Sequence, residues 1–226
     1  MKYIERFMTE ITNYITNDYK AIDSQQTIAT VQDFFDDLTF SHFPVVEEGI
    51  YIGSIASDDI ETFDGFKKVM DYRYSLEGFF ARENMIWLDV LEVFAKNHSN
   101  LIPVLDQKNK YLGYYEIGSI MNFFHETPFL RESGAILMVQ KKTLDYSIGE
   151  ITQIIESNNG KILGLFVSES NFENTQLTIK ISQGVMNEII QSFRRYNYEI
   201  ISEHFEDNYI NTLKERSDYL EKYLNI

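Results

Sequence analysis

The 226-residue sequence predicts an α/β (α+β) protein in which a duplicated first part is followed by a βαββαβ part. Three observations lead there. A hairpin-like pattern occurs twice, as "FPVVEEGIYIG" (43–53) and "IPVLDQKNKYLG" (102–113). Apolar residues at helical spacing precede both copies, and a short helical run follows each. Beyond residue 134 the pattern changes, and four strand-like runs alternate with two helical ones.

In the first copy, "TIATVQDFFDDL" places Ile28, Val31, Phe34, Phe35 and Leu38 on one helical face, with Thr27 as its N-cap. In the second, Ile86, Val90, Leu91 and Phe94 do the same. Each hairpin shows an apolar residue, Pro, Val, a polar turn, then Tyr, an aliphatic and Gly. The second has one more residue in its turn, where a hairpin tolerates insertion. "DDIETF" and "GSIMNFF" then read as short helices. Each unit is strand, helix, strand, strand, helix, about 55 to 60 residues long, and too small to close a core alone.

The copies are expected at about 12–66 and 76–127, together forming a domain over 1–127, with 128–133 ("PFLRES") as a linker. In the domain expected at 134–207, "GAILMVQ" is the first strand. Ser147 and Glu150 form a capping box before Ile148, Ile151, Ile154 and Ile155, and "NNG" (158–160) stops that helix. "KILGLFVS" and "QLTIKIS" are strands, Val185, Met186, Ile189, Ile190 and Phe193 mark a helix, and "YEIISEHF" closes as the fourth strand. The order is that of a ferredoxin-like fold. Residues 208–226 read as a C-terminal helix with Tyr209, Leu213, Tyr219, Leu220 and Tyr223 along it.

Composition narrows the function. A formal net charge of -15 opposes binding to nucleic acid or anionic lipid, since either requires many phosphates to be neutralised. The absence of cysteine removes disulfides, thiolate metal sites and Cys nucleophiles. No stretch approaches the ~18 apolar residues of a membrane span, and "MKYIERFMTEITNY" lacks the apolar core of a signal peptide, so a cytoplasmic protein is expected. His42, His98, His125 and His204 show no metal-ligand spacing, and no nucleophile elbow, Walker loop or GxGxxG is present. No metal, required cofactor or catalytic step is expected.

The stretch "GSIASDDI" (53–60) is the candidate site. Gly53 would let a ligand approach the backbone, Ser57 adds a hydroxyl at a helix start, and Asp59 can accept both hydroxyls of a ribose. Alternatively Ser57 caps the helix while Asp58 and Asp59 favour its first turn. A phosphate here requires compensation from Lys67, Lys68, Arg73 or Arg82.

The repeated unit, with its Pro-Val-Val hairpin running to Gly and a final Asp, resembles the cystathionine β-synthase (CBS) domain, which occurs in tandem pairs; the resemblance covers roughly residues 12–127. It implies an adenine nucleotide (AMP, ADP or ATP) or S-adenosylmethionine in the cleft between the copies. A hydroxyl and the Asp after the hairpin would hold its ribose and phosphate, with residues near His42 and Phe43 by the adenine. Gly53 and Asp59 match, while Ala56 stands at the hydroxyl position and Ser57 lies one place late. In copy two Gly113 matches, and Glu116 and Ser119 replace the hydroxyl and the Asp. Residues 134–207 resemble an ACT-type regulatory domain, and the whole is similar to the AcuB-like proteins of acetoin utilization. An ACT-type amino-acid site would involve Asp145 and Tyr146, the latter standing where the family has Gly.

Two readings follow. One is a regulatory ligand sensor, expected as a homodimer acting on an unknown target protein. The other is an assembly scaffold with vestigial pockets, which Ala56, Glu116, Ser119 and Tyr146 favour.

Overall fold

A computed structural model describes residues 11–182 and 186–201, which fall into two compact units, one ending at Phe124 and the other beginning at His125. The fold is α+β, with two three-stranded sheets in the first unit and one four-stranded sheet in the second.

In the first unit, Ile28, Val31 and Phe35 become the buried stripe of α1 (Ile28–Asp36). Thr27 is its N-cap by position, yet its hydroxyl pairs with that of Thr30 (2.9 Å) and not with a backbone amide. The helix connects β1 (Ile22–Asp23) to its parallel neighbour β2 (His42–Glu47). β2 then turns back antiparallel as β3 (Ile50–Ala56) through Glu48 and Gly49, whose φ values of 51° and 81° suit a two-residue type I′ turn. The one-turn α2 (Ser57–Ile60) follows.

The second copy repeats this order with β4 (Ala81–Arg82), α3 (Trp87–Asn97), β5 (Leu101–Leu105), β6 (Tyr111–Glu116) and α4 (Ile117–His125). Its pairings match, and even the bulge recurs, at Val45/Val46 and at Val104/Leu105. Its longer turn is fixed by the Asp106 carboxylate, which accepts the amides of Lys108 (2.7 Å) and Lys110 (2.9 Å). Ile86 departs from expectation. It is the N-cap of α3 and is 47% exposed, because the helix begins one residue later than the apolar spacing suggests.

The copies interlock through their hairpin tips and their lead-in segments. Their hairpin tips exchange backbone bonds, Tyr51 N to Asn109 O and Tyr111 N to Gly49 O, each 3.1 Å. Each copy's lead-in segment also crosses to the other copy's hairpin. Thr16 bridges Tyr114, and Glu77, which leads into copy two, bridges Ser54 on β3.

The second unit contains β7 (Ala135–Lys142), α6 (Ile148–Ser157), β8 (Ile162–Ser170), β9 (Asn174–Ile181), α7 (Met186–Arg195) and β10 (Glu199–Ile200). Its all-antiparallel order β10-β7-β9-β8 is the ferredoxin-like one. Leu137, Val139, Leu177 and Ile179 pack against Ile151, Ile155, Ile189 and Phe193 of the helices. The stretch 128–133, expected as a linker, contains the short helix α5 (Pro128–Arg131), whose Phe129 ring fills the space a side chain at Gly164 would need. Ile148, expected on the buried face of α6, is 52% exposed. Asn159 and not Gly160 takes the left-handed conformation (φ 57°) that ends the helix. The expectations for Val185 and His204, for the fourth strand beyond Ile201 and for the helix at 208–226 lie outside the described residues.

Candidate ligand site

The residues before β2 and β5, Ser41 and Asn100, occupy equivalent places in the two copies and clamp them together. Ser41 N donates to Asn100 Oδ1 (2.9 Å), and Asn100 N donates to Ser41 Oγ (3.1 Å). Asn100 Nδ2 also donates to the Thr39 carbonyl (2.7 Å). Each residue's own carbonyl holds the start of the next helix: Ser57 N donates to Ser41 O (2.8 Å) and Ile117 N to Asn100 O (3.1 Å). Ser41 thus connects the other copy, the hairpin and the segment singled out above.

Around this clamp the expected nucleotide residues separate into different roles. The His42 side chain is 12% exposed, with Nδ1 3.0 Å from Ser41 Oγ, Nε2 3.6 Å from the Glu77 carboxylate and its ring edge-on to Phe79. Phe43 is fully buried, its ring among those of Phe34, Phe40 and Tyr114. The aromatic cluster of copy one therefore consumes its side chain as core. At Gly53 a Cβ would lie 2.6 Å from Leu76 Cβ, and at Gly113 one would lie 2.5 Å from Thr16 O. The crossing lead-in segments therefore account for both glycines, and the space beside Gly53 belongs to Leu76.

Ser57 is the first residue of α2, whose N-cap is Ala56, and its hydroxyl caps no backbone amide. Asp59 is half-buried, and among the described residues no hydrogen bond or ion pair engages its carboxylate. A cavity of about 590 Å³ lies beside α2, with Ser41, Ser57, Phe35, Phe40 and Ile60 in its wall. Copy one supplies all of that lining. The volume falls in the ~300–1,000 Å³ range of small-molecule pockets. Asp33, Asp36 and Glu61 add three carboxylates, and no basic residue lines it. Asp59 is not part of the wall.

The four cations that could have compensated a phosphate are used elsewhere. Lys67 sits over the Tyr72 ring, Lys68 Nζ donates to Gln25, and Arg73 faces Glu47 at 3.8 Å. Arg82 holds the Asp106 carbonyl and Asn109 Oδ1. Ser41, Phe40 and the three wall carboxylates were not anticipated. The signal for Ser41 was its alignment with Asn100, two polar residues ahead of matching hairpins.

In the second unit, Asp145 lines a cavity of about 560 Å³ with Lys142, Leu144, Phe172, Glu173 and Asn174. Tyr146 instead packs against the core. The amides at the start of α6 are taken up internally. Tyr198 Oη accepts from Ser147 N (3.2 Å), and Ser147 Oγ accepts from Glu150 N (3.3 Å). Burial pushes the Tyr198 hydroxyl up to about 12, so it stays protonated there. The Glu150 carboxylate turns to Lys141 Nζ (2.7 Å), leaving the expected capping box half-closed. Among the described residues, no group of three or more His, Asp or Glu is placed to hold a metal, and no helix is long and apolar enough to cross a membrane.

No protein-family model and no curated protein matches the chain. Solved structures do overlap with it. A CBS domain pair/ACT domain protein from Thermotoga maritima is 18% identical over 51% of this chain and 96% of its own, with a TM-score of 0.47. The cystathionine β-synthase pair domain of a putative Mg²⁺ transporter from Shewanella oneidensis is 18% identical over 55% of this chain and 78% of its own, with a TM-score of 0.47. The cytosolic domain of the Mg²⁺ channel MgtE, in complex with ATP, is 19% identical over 49% of this chain and 46% of its own, with a TM-score of 0.43. The chain thus spans less than half of that last domain.

Proposed function

We propose that this chain is a cytoplasmic regulatory protein, a tandem CBS-domain pair continued by an ACT-type domain, that senses an adenine-containing ligand through its first copy. The observation that carries this reading is the asymmetry between otherwise matched copies. Where copy one has Ser57 and Asp59, copy two has Ile117 and Ser119. The cavity within copy one has Ser57 and Ser41 in its wall. Asp59, on the same one-turn helix as Ser57 though outside the wall, has a carboxylate with no hydrogen bond or ion pair among the described residues, and it would be the acceptor for a ribose diol.

The acidic wall sets the ligand's orientation. With three carboxylates and no cation in the lining, phosphates would have to face solvent, leaving the adenosine part inside. S-adenosylmethionine, whose sulfonium is positive, meets no such penalty. The output would pass through Ser41. A ligand that moves α2 pulls on the Ser57 N to Ser41 O bond and hence on the Ser41–Asn100 clamp. It biases the pair only by its difference in affinity for the two arrangements. A homodimer acting on a target protein, and a place in acetoin utilization, belong to the same proposal through the family resemblance. No catalytic step is part of it.

The scaffold reading retains support from one fact: the lead-in segments and the aromatic core already fill the space at Gly53 and Phe43. Thermal unfolding against AMP, ADP, ATP, S-adenosylmethionine and amino acids separates the two. A ligand at 100 times its Kd adds ~2.7 kcal/mol, a midpoint rise of a few degrees for a chain of this size. A rise with an adenine ligand that disappears in Asp59→Ala is the expected result. A flat response overturns the sensor reading in favour of the scaffold, and a response to amino acids alone moves sensing to the Asp145 cavity.

A further inference from the structure

A cavity of about 410 Å³ lies between α6 and α7 and shares no residue with the Asp145 cavity. Gln153, Ser157 and Asn158 line it from one helix and Ser192, Arg195 and Tyr196 from the other. Its volume falls in the ~300–1,000 Å³ range of small-molecule pockets. Its charge is the reverse of the copy-one cavity. No described residue of the wall is acidic, and Arg195 supplies a cation. Although the chain has 35 acidic residues against 20 basic ones, no carboxylate among the described residues pairs with this guanidinium.

Donors outnumber acceptors here. Asn158 Nδ2 donates to the Ile154 carbonyl (2.7 Å) and to Ser192 Oγ (3.2 Å), and Arg195 Nη2 donates to the same Oγ (2.9 Å). Ser192 is only 5% exposed. Its hydroxyl already accepts twice, and among the described residues nothing accepts its own proton. Most of the Arg195 N–H donors are without a partner there as well. A cation in the last turn of α7 suits the helix end, but that leaves the buried Ser192 proton unexplained. An anionic oxygen in the cavity would accept from both groups, through charge-assisted bonds on the arginine side.

We propose that this cavity binds a small organic carboxylate, whose oxygens accept from Arg195 and Ser192 while its body lies along the Tyr196 ring. One guanidinium balances one negative charge, so in a chain of net charge -15 a monoanionic acid fits better than a doubly charged phosphate. The ammonium of a zwitterionic amino acid meets no carboxylate in the wall. The site therefore differs in chemistry, as well as in place, from one for amino acids.

The full chain, labelled with ¹⁵N, is titrated with hexanoate and followed by NMR, with norleucine, hexylamine and inorganic phosphate as companions. Hexanoate should shift the signals of Asn158, Ser192, Arg195 and Tyr196 to saturation, and the three companions should bind several-fold more weakly. Arg195→Gln, at an exposed position, should weaken hexanoate about 10-fold while signals outside α6 and α7 stay in place. No shift at these residues overturns the proposal, as do shifts confined to 142–146 and 172–174, which would put the acid in the Asp145 cavity. Equal binding of norleucine or phosphate overturns the choice of a simple carboxylate, and undiminished binding by Arg195→Gln overturns the site.

Discussion

At Gly53 a single missing side chain is tied to the assembly of the first unit. Its φ of 148° disfavours any L residue, and the crossing segment at Leu76 leaves no room for a Cβ. Gly53→Ala should therefore cost ~2 kcal/mol or more from backbone strain and overpacking together. Urea denaturation measures this; a loss below half of that would mean the 76–77 segment can withdraw freely. Sequence equivalence does not fix a residue's surroundings, as Tyr51 and Tyr111 show. Both stand at the start of their second hairpin strand, but Tyr51 Oη donates to the Phe79 carbonyl (2.8 Å) while the buried Tyr111 Oη has no partner among the described residues. Burial raises both hydroxyls, that of Tyr51 to about 12.

At the scale of elements, strand β7 and helix α6 are joined by Lys141 and Glu150. The hydrogen bond from Lys141 holds the Glu150 carboxyl below its ordinary value of about 4.3. A depressed carboxyl contributes stability that is complete above its unfolded pKa and is lost as pH falls through the folded one. Glu150→Gln should thus reduce stability by about 0.5–1 kcal/mol at pH 7, the scale of a partly exposed pair, and by less near pH 3. Denaturation at the two pH values checks this, and an equal loss at both would assign the effect to packing. The pairing was not visible from the capping-box pattern at Ser147 and Glu150. That pattern describes a helix alone, and the strand beside it supplied the stronger partner.

At the scale of the whole molecule, the two units should unfold as separate calorimetric transitions, since each has its own core. Gly53→Ala should lower one midpoint and Glu150→Gln the other. A single transition shifted by both would show the units to be coupled. The duplication, the hairpins and the βαββαβ order were legible in the sequence, because periods of 2 and 3.6 and turn chemistry are local properties that side chains carry wherever the segment sits. The surroundings of the candidate site were legible only in part. Ser57 and Asp59 stand out in "GSIASDDI", but the Ser41–Asn100 clamp and the acidic wall of Asp33, Asp36 and Glu61 join residues from separate segments. The tertiary structure alone decided that Gly53 serves a crossing segment, that Phe43 is core, and that the anticipated cations are engaged elsewhere. Each depends on which distant group comes to fill the space or share the proton, and a linear pattern holds no record of that.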